Sequence, residues 1–333
     1  MGKLAKENLE KLLSCIRKDL KVLVPPLSGY DAGVHFIGDK CMVVATDPCI
    51  DVPEEWFGWL LINYAASDVA VFGAKPEYCT INLLGPASTK PESFQKIMKQ
   101  VCGAADKLDM VVVTGHTGVY EGVSQLIGVC TAYGTVLKEK LILPGNAKAG
   151  DFVLCTKSVG LELLANFSFM HQTLAQRLFG VQRAEELAHL MESQSCVNEA
   201  LQLAKISGVN TMHDATEGGL VAALNEMADA SEVGFKVEME KIPISQEAWI
   251  LRDQFKLALP EVLSMSSTGT ILAAIAPQAK GKVDDALRRS GVPASFVGCF
   301  TKNKDRKIIE NNSDKIFTPI ANDPYNKILS LQY

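Results

Sequence analysis

Three aspartates in the first half of the chain lie where apolar segments end or are interrupted. Asp31 stands in a loop, Asp47 follows Thr46 after the apolar strand CMVVA, and Asp68 interrupts an apolar helical run. A carboxylate is costly to bury unless it is paired or bound to a metal ion. The three side chains are therefore candidate metal ligands. The alternative is structural, in which they are a cap, a turn residue and a solvent-facing aspartate.

The tetrapeptide Gly115-His116-Thr117-Gly118 follows a segment that is apolar throughout, Met110–Thr114. We expect a strand that ends in a turn, so that the polar side chains emerge at an edge of the sheet. Ligand sites in α/β layers often lie at such an edge. A histidine in this position could bind a metal ion, accept a proton or cap the turn.

The segment from Met212 to Leu220 (MHDATEGGL) is the most informative local pattern in the second half. Adjacent glycines at 218 and 219 let the backbone approach a ligand closely, and the exposed amides at a helix start attract anions. Asp214 or Thr216 could equally be a helix N-cap. A further polar cluster, Ser266–Gly269, precedes an apolar strand and could serve the same cleft.

Strands and helices alternate along the chain, which predicts an α/β fold with mixed α+β layers. Apolar periodicity predicts helices over Lys3–Leu20, Phe57–Phe72 and Pro91–Leu108. Gly73 is expected to close the second of these in the left-handed conformation.

Length and composition point to two globular domains. The chain has 333 residues, 47% of them hydrophobic, and single cores rarely grow past roughly 250–300 residues. A turn-rich stretch near Leu143–Gly150 is typical of a domain connection. We expect an N-terminal domain at residues 1–143 and a C-terminal domain at residues 144–333.

Several classes of function are disfavoured. No apolar run is long enough to cross a bilayer, and the N-terminus lacks the apolar core of a signal peptide, so we expect a cytoplasmic protein without a membrane partner. The net charge of −5 and the lack of a basic block argue against nucleic acid as a partner. Neither a P-loop nor a GxGxxG motif is present, so a nucleotide would have to bind through a different motif.

In this order, the segments resemble the AIR synthase-related superfamily, which has a PurM-like fold. Its members include aminoimidazole ribonucleotide synthetase, the hydrogenase-maturation carbamoyl dehydratase, thiamine-monophosphate kinase and selenophosphate synthetase. The family motifs match here at Gly29-Tyr30-Asp31-Ala32, Ala45-Thr46-Asp47, Ser67-Asp68, Gly73-Ala74-Lys75-Pro76, Gly115-His116-Thr117, Pro144-Gly145, Gly150-Asp151, His213–Leu220 and Ser266–Thr270.

The resemblance implies a homodimer in which the N-terminal domains join their sheets into a β-barrel, each followed by a C-terminal α/β domain. ATP would lie between the domains with Mg²⁺, or with Mn²⁺ or another divalent metal, and an oxygen of a small molecule would attack the γ-phosphate. The metal ligands implied are Asp31, Asp47 and Asp68. The residues implied to bind ATP or its phosphates are Thr46, Gly115, His116, Thr117, Asp214, Thr216, Gly218 and Gly219.

The run from Thr216 to Glu226 is most similar to the hydrogenase-maturation branch. That branch requires a cysteine near the C-terminus to carry the carbamoyl group, whereas the last cysteine here is Cys299. The selenophosphate branch is disfavoured as well, because no reactive cysteine segment precedes Gly29. In addition, Tyr30 and His116 replace acidic residues of the family motifs.

Two hypotheses follow. The first is an ATP-dependent enzyme that activates an oxygen of a small amide, carbonyl or phosphate metabolite by phosphoryl transfer; kinase action on a phosphate ester differs from it in substrate only. The alternative is a non-catalytic dimeric protein that binds nucleotide or metal, or assists assembly, and retains the fold. Fold by itself does not decide between them.

Overall fold

The computed structural model describes residues 6–27 and 29–330 and divides into two compact units. The N-terminal unit consists of Arg17–Pro26 and Asp31–Leu141. The C-terminal unit consists of Ile142–Tyr333 with Leu27–Tyr30 and the first helix, α1 (Lys6–Leu13). Each unit has one sheet with helices packed on it, which confirms the predicted mixed α/β class. No helix in the described part of the chain has the length and hydrophobicity needed to cross a bilayer.

The N-terminal unit is built on one sheet. Its strands are β1 (Val22–Val24), β2 (Gly33–Ile37), β3 (Lys40–Cys49), β4 (Tyr78–Pro86), β5 (Val111–Tyr120) and β6 (Ile127–Leu137). Within the described residues they lie in the order β1-β2-β3-β6-β4-β5. Only β4 and β5 pair in parallel, and β5 lies at an edge.

Two helices, α2 (Phe57–Val71) and α3 (Pro91–Leu108), cover one face of this sheet. Alternation along β3 shows the reason, because Val43, Ala45 and Cys49 are buried while the residues between them are exposed or half-buried. Helix α2 packs on β3 and β6 and against α3. Gly73 closes α2 with φ of +81°, as predicted.

The C-terminal unit contains a second, larger sheet. Its strands are β7 (Phe152–Thr156), β8 (Val209–Asp214), β9 (Gly234–Glu238), β10 (Ile271–Ile275), β11 (Ala294–Thr301), β12 (Arg306–Glu310) and β13 (Ser313–Ile316). Across the described residues their order is β13-β12-β9-β11-β7-β10-β8. Among these pairs only β12 and β9 run parallel.

The helices of this unit form two apolar cores with the sheet and with one another. They are α4 (Leu161–Met170), α5 (Gln172–Phe179), α6 (Val181–His189), α7 (Val197–Leu203), α8 (Gly219–Ser231), α9 (Gln246–Phe255), α10 (Leu259–Leu263), α11 (Lys280–Arg289) and α12 (Tyr325–Leu329). Helix α8 packs with the sheet in one core, and α4, α5, α6 and α9 share the other.

Several predicted boundaries were wrong. Helix α1 ends at Leu13, not Leu20, and Leu20 is fully exposed, so the apolar stripe that suggested a longer helix does not pack; the predicted start, Lys3, lies outside the described residues. The second predicted helix continues one residue too far, whereas Pro91–Leu108 is confirmed at both ends.

Candidate functional site

Thr46 and Asp47 lie inside strand β3, which continues to Cys49 instead of ending before them as predicted. Successive residues of a strand point to opposite faces of the sheet. Asp47 therefore shares the helix-covered face with buried Ala45 and Cys49, while Thr46 lies on the other, exposed face. There its hydroxyl accepts a hydrogen bond from Thr131 Oγ1 on β6 at 3.0 Å.

Asp31 lies two residues before strand β2 and is partly buried. Strand β2 pairs with β3 so that Gly33 is opposite Val44. Continuing that antiparallel register by two residues brings Asp31 to the level of Thr46. The structure thus places Asp31 and Asp47, two of the three predicted metal ligands, at the same end of adjacent strands.

Asp68 lies in the last turn of helix α2, where its neighbours Ser67 and Val69 are fully buried. Asp68 itself is only 7% exposed, so the solvent-facing alternative is wrong. A negative charge near the C-terminal end of a helix opposes the helix dipole, and burying a carboxylate adds a desolvation cost.

The segment Gly115-His116-Thr117 lies within strand β5 and not in a turn, because β5 continues to Tyr120. A Cβ atom added at Gly115 would lie 2.3 Å from the carbonyl oxygen of Ile81, so the close approach of β4 already requires a glycine there. His116 is exposed, and its Nε2 lies 2.6 Å from the hydroxyl oxygen of Tyr120.

The sheet separates this segment from Asp47. The paired residues Asp47, Cys130, Ile81 and Gly115 form one row across four strands. Three spacings of about 4.8 Å put the ends of that row roughly 14 Å apart. Because Mg²⁺ binds its ligands at about 2 Å, Asp47 and His116 of one chain do not ligate the same ion.

In the C-terminal unit, Asp214 is the last residue of β8 and is 1% exposed. The preceding His213 has Nδ1 2.8 Å from the carbonyl oxygen of Asp214 and Nε2 2.9 Å from Glu226 Oε2. Both ring nitrogens of this buried histidine thus lie close to oxygen atoms of the same unit.

The loop after Asp214 turns sharply into helix α8. Gly218 and Gly219 have φ of +79° and +53°, and a Cβ atom at Gly219 would lie 2.3 Å from the carbonyl oxygen of Met265. The Gly219 amide donates to Thr216 O at 3.0 Å. The Gly218 amide donates to Asp323 Oδ2, also at 3.0 Å. Both predicted anion-binding amides thus have partners within the protein.

Asp323 brings together the loop and the serine-rich segment. Besides the Gly218 amide, it accepts hydrogen bonds from the hydroxyl of Ser266 and from the backbone N–H of Tyr325. Burial raises the pKa of Asp323, and these hydrogen bonds oppose the rise. A protein carboxylate therefore occupies the position where the sequence suggested a bound anion.

Glu162, the second residue of helix α4, is a further carboxyl group in the same region. Its Oε2 accepts a hydrogen bond from Thr268 Oγ1 at 2.5 Å. The pKa of Glu162 is raised to about 7, mainly by burial and also by the charges of Asp323 and Glu217, while the hydrogen bonds from Thr268 oppose the rise. Such a pKa suits a group that exchanges protons near neutrality.

Sequence reasoning missed Glu162 and Asp323, although it selected the segments that they contact. Neither residue stands in a recognisable motif. The signal that was available is the polar cluster Ser266–Gly269, whose hydroxyl groups at Ser266 and Thr268 need buried acceptors. Which carboxylates supply them is decided by the tertiary fold.

Known proteins were then compared with the chain. The family described as AIR synthase related protein, N-terminal domain, matches residues 29–136, and AIR synthase related protein, C-terminal domain, matches residues 148–310. The carbamoyl dehydratase HypE of Bradyrhizobium diazoefficiens is 30% identical, over 78% of this chain and 74% of that protein. A selenide, water dikinase of Carboxydothermus hydrogenoformans is 24% identical, over 93% of this chain and 95% of that protein.

The fold is shared with solved structures as well. The hydrogenase maturation protein HypE in complex with ATP superposes with a TM-score of 0.71 at 18% identity, covering 95% of this chain and 91% of that chain. This similarity confirms the two-domain PurM-like fold that the motifs predicted. Since both domains of the family are matched in chain order, the protein belongs to the AIR synthase related protein family.

Proposed function

We propose that this protein is an ATP-dependent enzyme that transfers the γ-phosphoryl group to an oxygen of a small amide, carbonyl or phosphate metabolite. The observation that carries the proposal is the placement of Asp31 and Asp47 at one end of adjacent strands, together with the buried Asp68. Membership of a family whose relatives include a dikinase and a carbamoyl dehydratase supports it. So does the shared fold of an ATP complex.

Asp31, Asp47 and Asp68 would hold Mg²⁺ or Mn²⁺ in this proposal. Carboxylate oxygens are the ligands that these hard cations prefer. The bound metal would neutralise the charge that develops on the phosphates during transfer. Thr46 lies on the opposite face of β3 from Asp47, so this proposal gives it no contact with a phosphate bound at the metal.

The loop from Asp214 to Gly219 would bind the acceptor molecule rather than the triphosphate. Its glycine amides already have partners, and three carboxyl groups in this region, Glu162, Glu217 and Asp323, repel an unneutralised anion. Thr216 is partly exposed and can donate to a substrate oxygen. Glu162 would accept the proton that the acceptor loses, because its pKa is close to neutral.

A homodimer through the N-terminal sheet belongs to the same proposal. Strand β5 is an edge strand, and it exposes Val111, Val113, Val119 and Tyr120 by 44–57% each. An apolar edge strand of this kind pairs readily with another strand. In a dimer, Gly115, His116 and Thr117 would lie at the interface, where they could contact nucleotide bound by either chain.

The second candidate function is that of a non-catalytic dimeric protein that binds nucleotide or metal, or assists assembly, and retains the fold. Tyr30 and His116 favour it because they stand where the family motifs have acidic residues. The His116 ring is also engaged by the hydroxyl of Tyr120 at 2.6 Å. Fewer carboxylates would weaken magnesium binding and leave the transfer step without its metal.

Nucleotide binding by the purified protein separates the two functions. Calorimetric titration with ATP would be run with Mg²⁺, with Mn²⁺ and with EDTA, beside an Asp47→Ala variant and an Asp39→Ala control at the exposed β2–β3 turn. Metal-dependent binding that Asp47→Ala alone removes, followed by phosphate release with a suitable acceptor, supports the enzyme. Binding without turnover favours the second function, and no binding under any condition excludes both as stated.

A further inference from the structure

A groove of about 490 Å³ lies on the C-terminal unit between helices α7 and α11, away from the loop that follows Asp214. Its volume falls within the range of small-molecule sites in proteins. The groove is lined by Gln202, Lys205, Ile206, Lys282, Asp285, Ala286, Arg289 and Ser290.

Three of these lining residues are cationic and have no counter-ion among the residues that the structure describes. Lys205, Lys282 and Arg289 make no ion pair with any described residue. The acidic lining residue, Asp285, is already paired with Arg288 on the same helix. The groove therefore carries a local excess of positive charge, although the whole chain has a net charge of −5.

Helix dipoles account for only part of this charge. Arg289 lies in the last turn of α11, where a cation is stabilised. Lys282 lies in the first turn of the same helix, where a cation opposes the dipole and an anion is favoured. Helix stability therefore does not explain Lys282, and an anion bound beside it would.

The two helices also offer neutral hydrogen-bond donors to the groove. Ser290 Oγ donates to Gln202 Oε1 at 2.6 Å, which ties the end of α11 to α7. This bond uses the oxygen of the Gln202 amide, so its Nε2 group remains a donor without a partner among the described residues. The groove thus offers two ammonium groups, a guanidinium and an amide as donors, beside the carboxylate of Asp285, which is paired with Arg288.

We propose that this groove binds a small polyanion that carries more than one phosphate group. Lys282 and Arg289 lie two helical turns apart on one face of α11, about 10 Å along its axis, so their long side chains can contact separate phosphates. The guanidinium fork of Arg289 suits bidentate contact with phosphate. None of the groove residues is among the metal ligands proposed above, so the two sites can be tested separately.

Tripolyphosphate in the presence of EDTA is the probe that separates the two sites. Calorimetric titration would compare the unsubstituted protein with K282Q/R289Q and with K256Q/K302Q. The control pair removes two exposed cations from the same unit outside the groove. An Asp47→Ala arm tests independence from the proposed metal site, and an ATP arm tests whether the phosphate chain alone is recognised.

We expect saturable binding that weakens at least about tenfold in K282Q/R289Q, since two charge-assisted contacts are lost, and that is unchanged in K256Q/K302Q and Asp47→Ala. Absence of tripolyphosphate binding, or equal weakening in both double variants, would overturn the proposal. If the double variant is unstable, each single substitution gives the same comparison. Failure of metal-dependent ATP binding would not affect this result.

Discussion

Asp323 Oδ2 accepts the backbone N–H of Gly218 at 3.0 Å, across 105 residues of sequence. This contact places an internal carboxylate at the start of helix α8, where a helix terminus would otherwise attract an external anion. The same carboxylate accepts the hydroxyl of Ser266. The loop that the sequence predicted to bind phosphate or substrate is therefore held by the protein itself, and its glycines have a structural requirement that can be tested.

Gly219→Ala is predicted to destabilise the protein by about 2 kcal/mol or more. The residue has φ of +53°, and an added Cβ would approach the carbonyl oxygen of Met265 to 2.3 Å, which combines backbone strain with a clash against main chain. Denaturant unfolding followed by circular dichroism measures the change.

Gly281→Ala is the matched control for that substitution. It lies in helix α11, and a Cβ there would meet nothing within 4 Å. Alanine should stabilise the helix by up to about 1 kcal/mol. Equal effects of the two substitutions would contradict the packing argument for Gly219.

Glu162→Gln is predicted to change how stability depends on pH. The pKa of Glu162 is raised to about 7 in the folded protein, from 4.5 for a glutamate in water. Between these values the folded state binds more protons than the unfolded state, so stability falls as pH rises through this window. The contribution of Glu162 to the free energy of unfolding is full below about pH 4.5 and is lost as the pH rises to about 7. Its size is roughly 3 kcal/mol at most.

The glutamine variant should therefore be more stable than the unsubstituted protein at pH 8 and similar to it at pH 4.5. Thermal unfolding at several pH values is the measurement, and Glu185→Gln, on the exposed side of α6, is the control. If Glu162 accepts a proton during catalysis, the stabilised variant should also lose turnover. A parallel pH dependence in all three proteins would refute the raised pKa.

Helices and strands were predicted most accurately where the apolar periodicity agreed with the residues that start or end an element. Helix α3 was predicted at both ends because an apolar stripe coincides with Pro91 in the first turn. Strands β3 and β5 were predicted to end too early. Thr46 and His116 lie on exposed parts of the sheet, and polar residues at such positions resemble a turn. The apolar periodicity of a sequence does not show whether the exposed face of a strand will be covered by another element.

The candidate site shows a different limit. Asp214 and the two glycines were selected from a local pattern, but their partners were not. Glu162 and Asp323 reach the site by tertiary packing, through bonds to Thr268 and Gly218 that span more than a hundred residues. A motif can indicate that a loop approaches something closely, whereas the identity of that neighbour depends on the whole fold.

Val113→Lys is predicted to prevent dimer formation through strand β5. Val113 is 54% exposed on this edge strand, and a lysine there would place a charge in the paired edge. Val181→Lys is the control, because Val181 is similarly exposed, at 58%, in the other unit. Sedimentation velocity should find a dimer for the unsubstituted protein and the control, and a monomer for Val113→Lys; a dimer in all three would exclude β5 as the interface.

Asp68→Asn is predicted to weaken metal-dependent ATP binding by at least about tenfold while the fold is retained. The substitution keeps the size of a side chain that is 7% exposed but removes the charge that binds a divalent cation. Titration of ATP with Mg²⁺ measures the effect, and circular dichroism verifies the fold. Asp39→Asn, at the exposed turn between β2 and β3, is the matched control. Because Asp68 lies near the C-terminal end of α2, where the dipole disfavours an anion, unchanged ATP affinity would mean that its charge is balanced within the protein and serves structure instead.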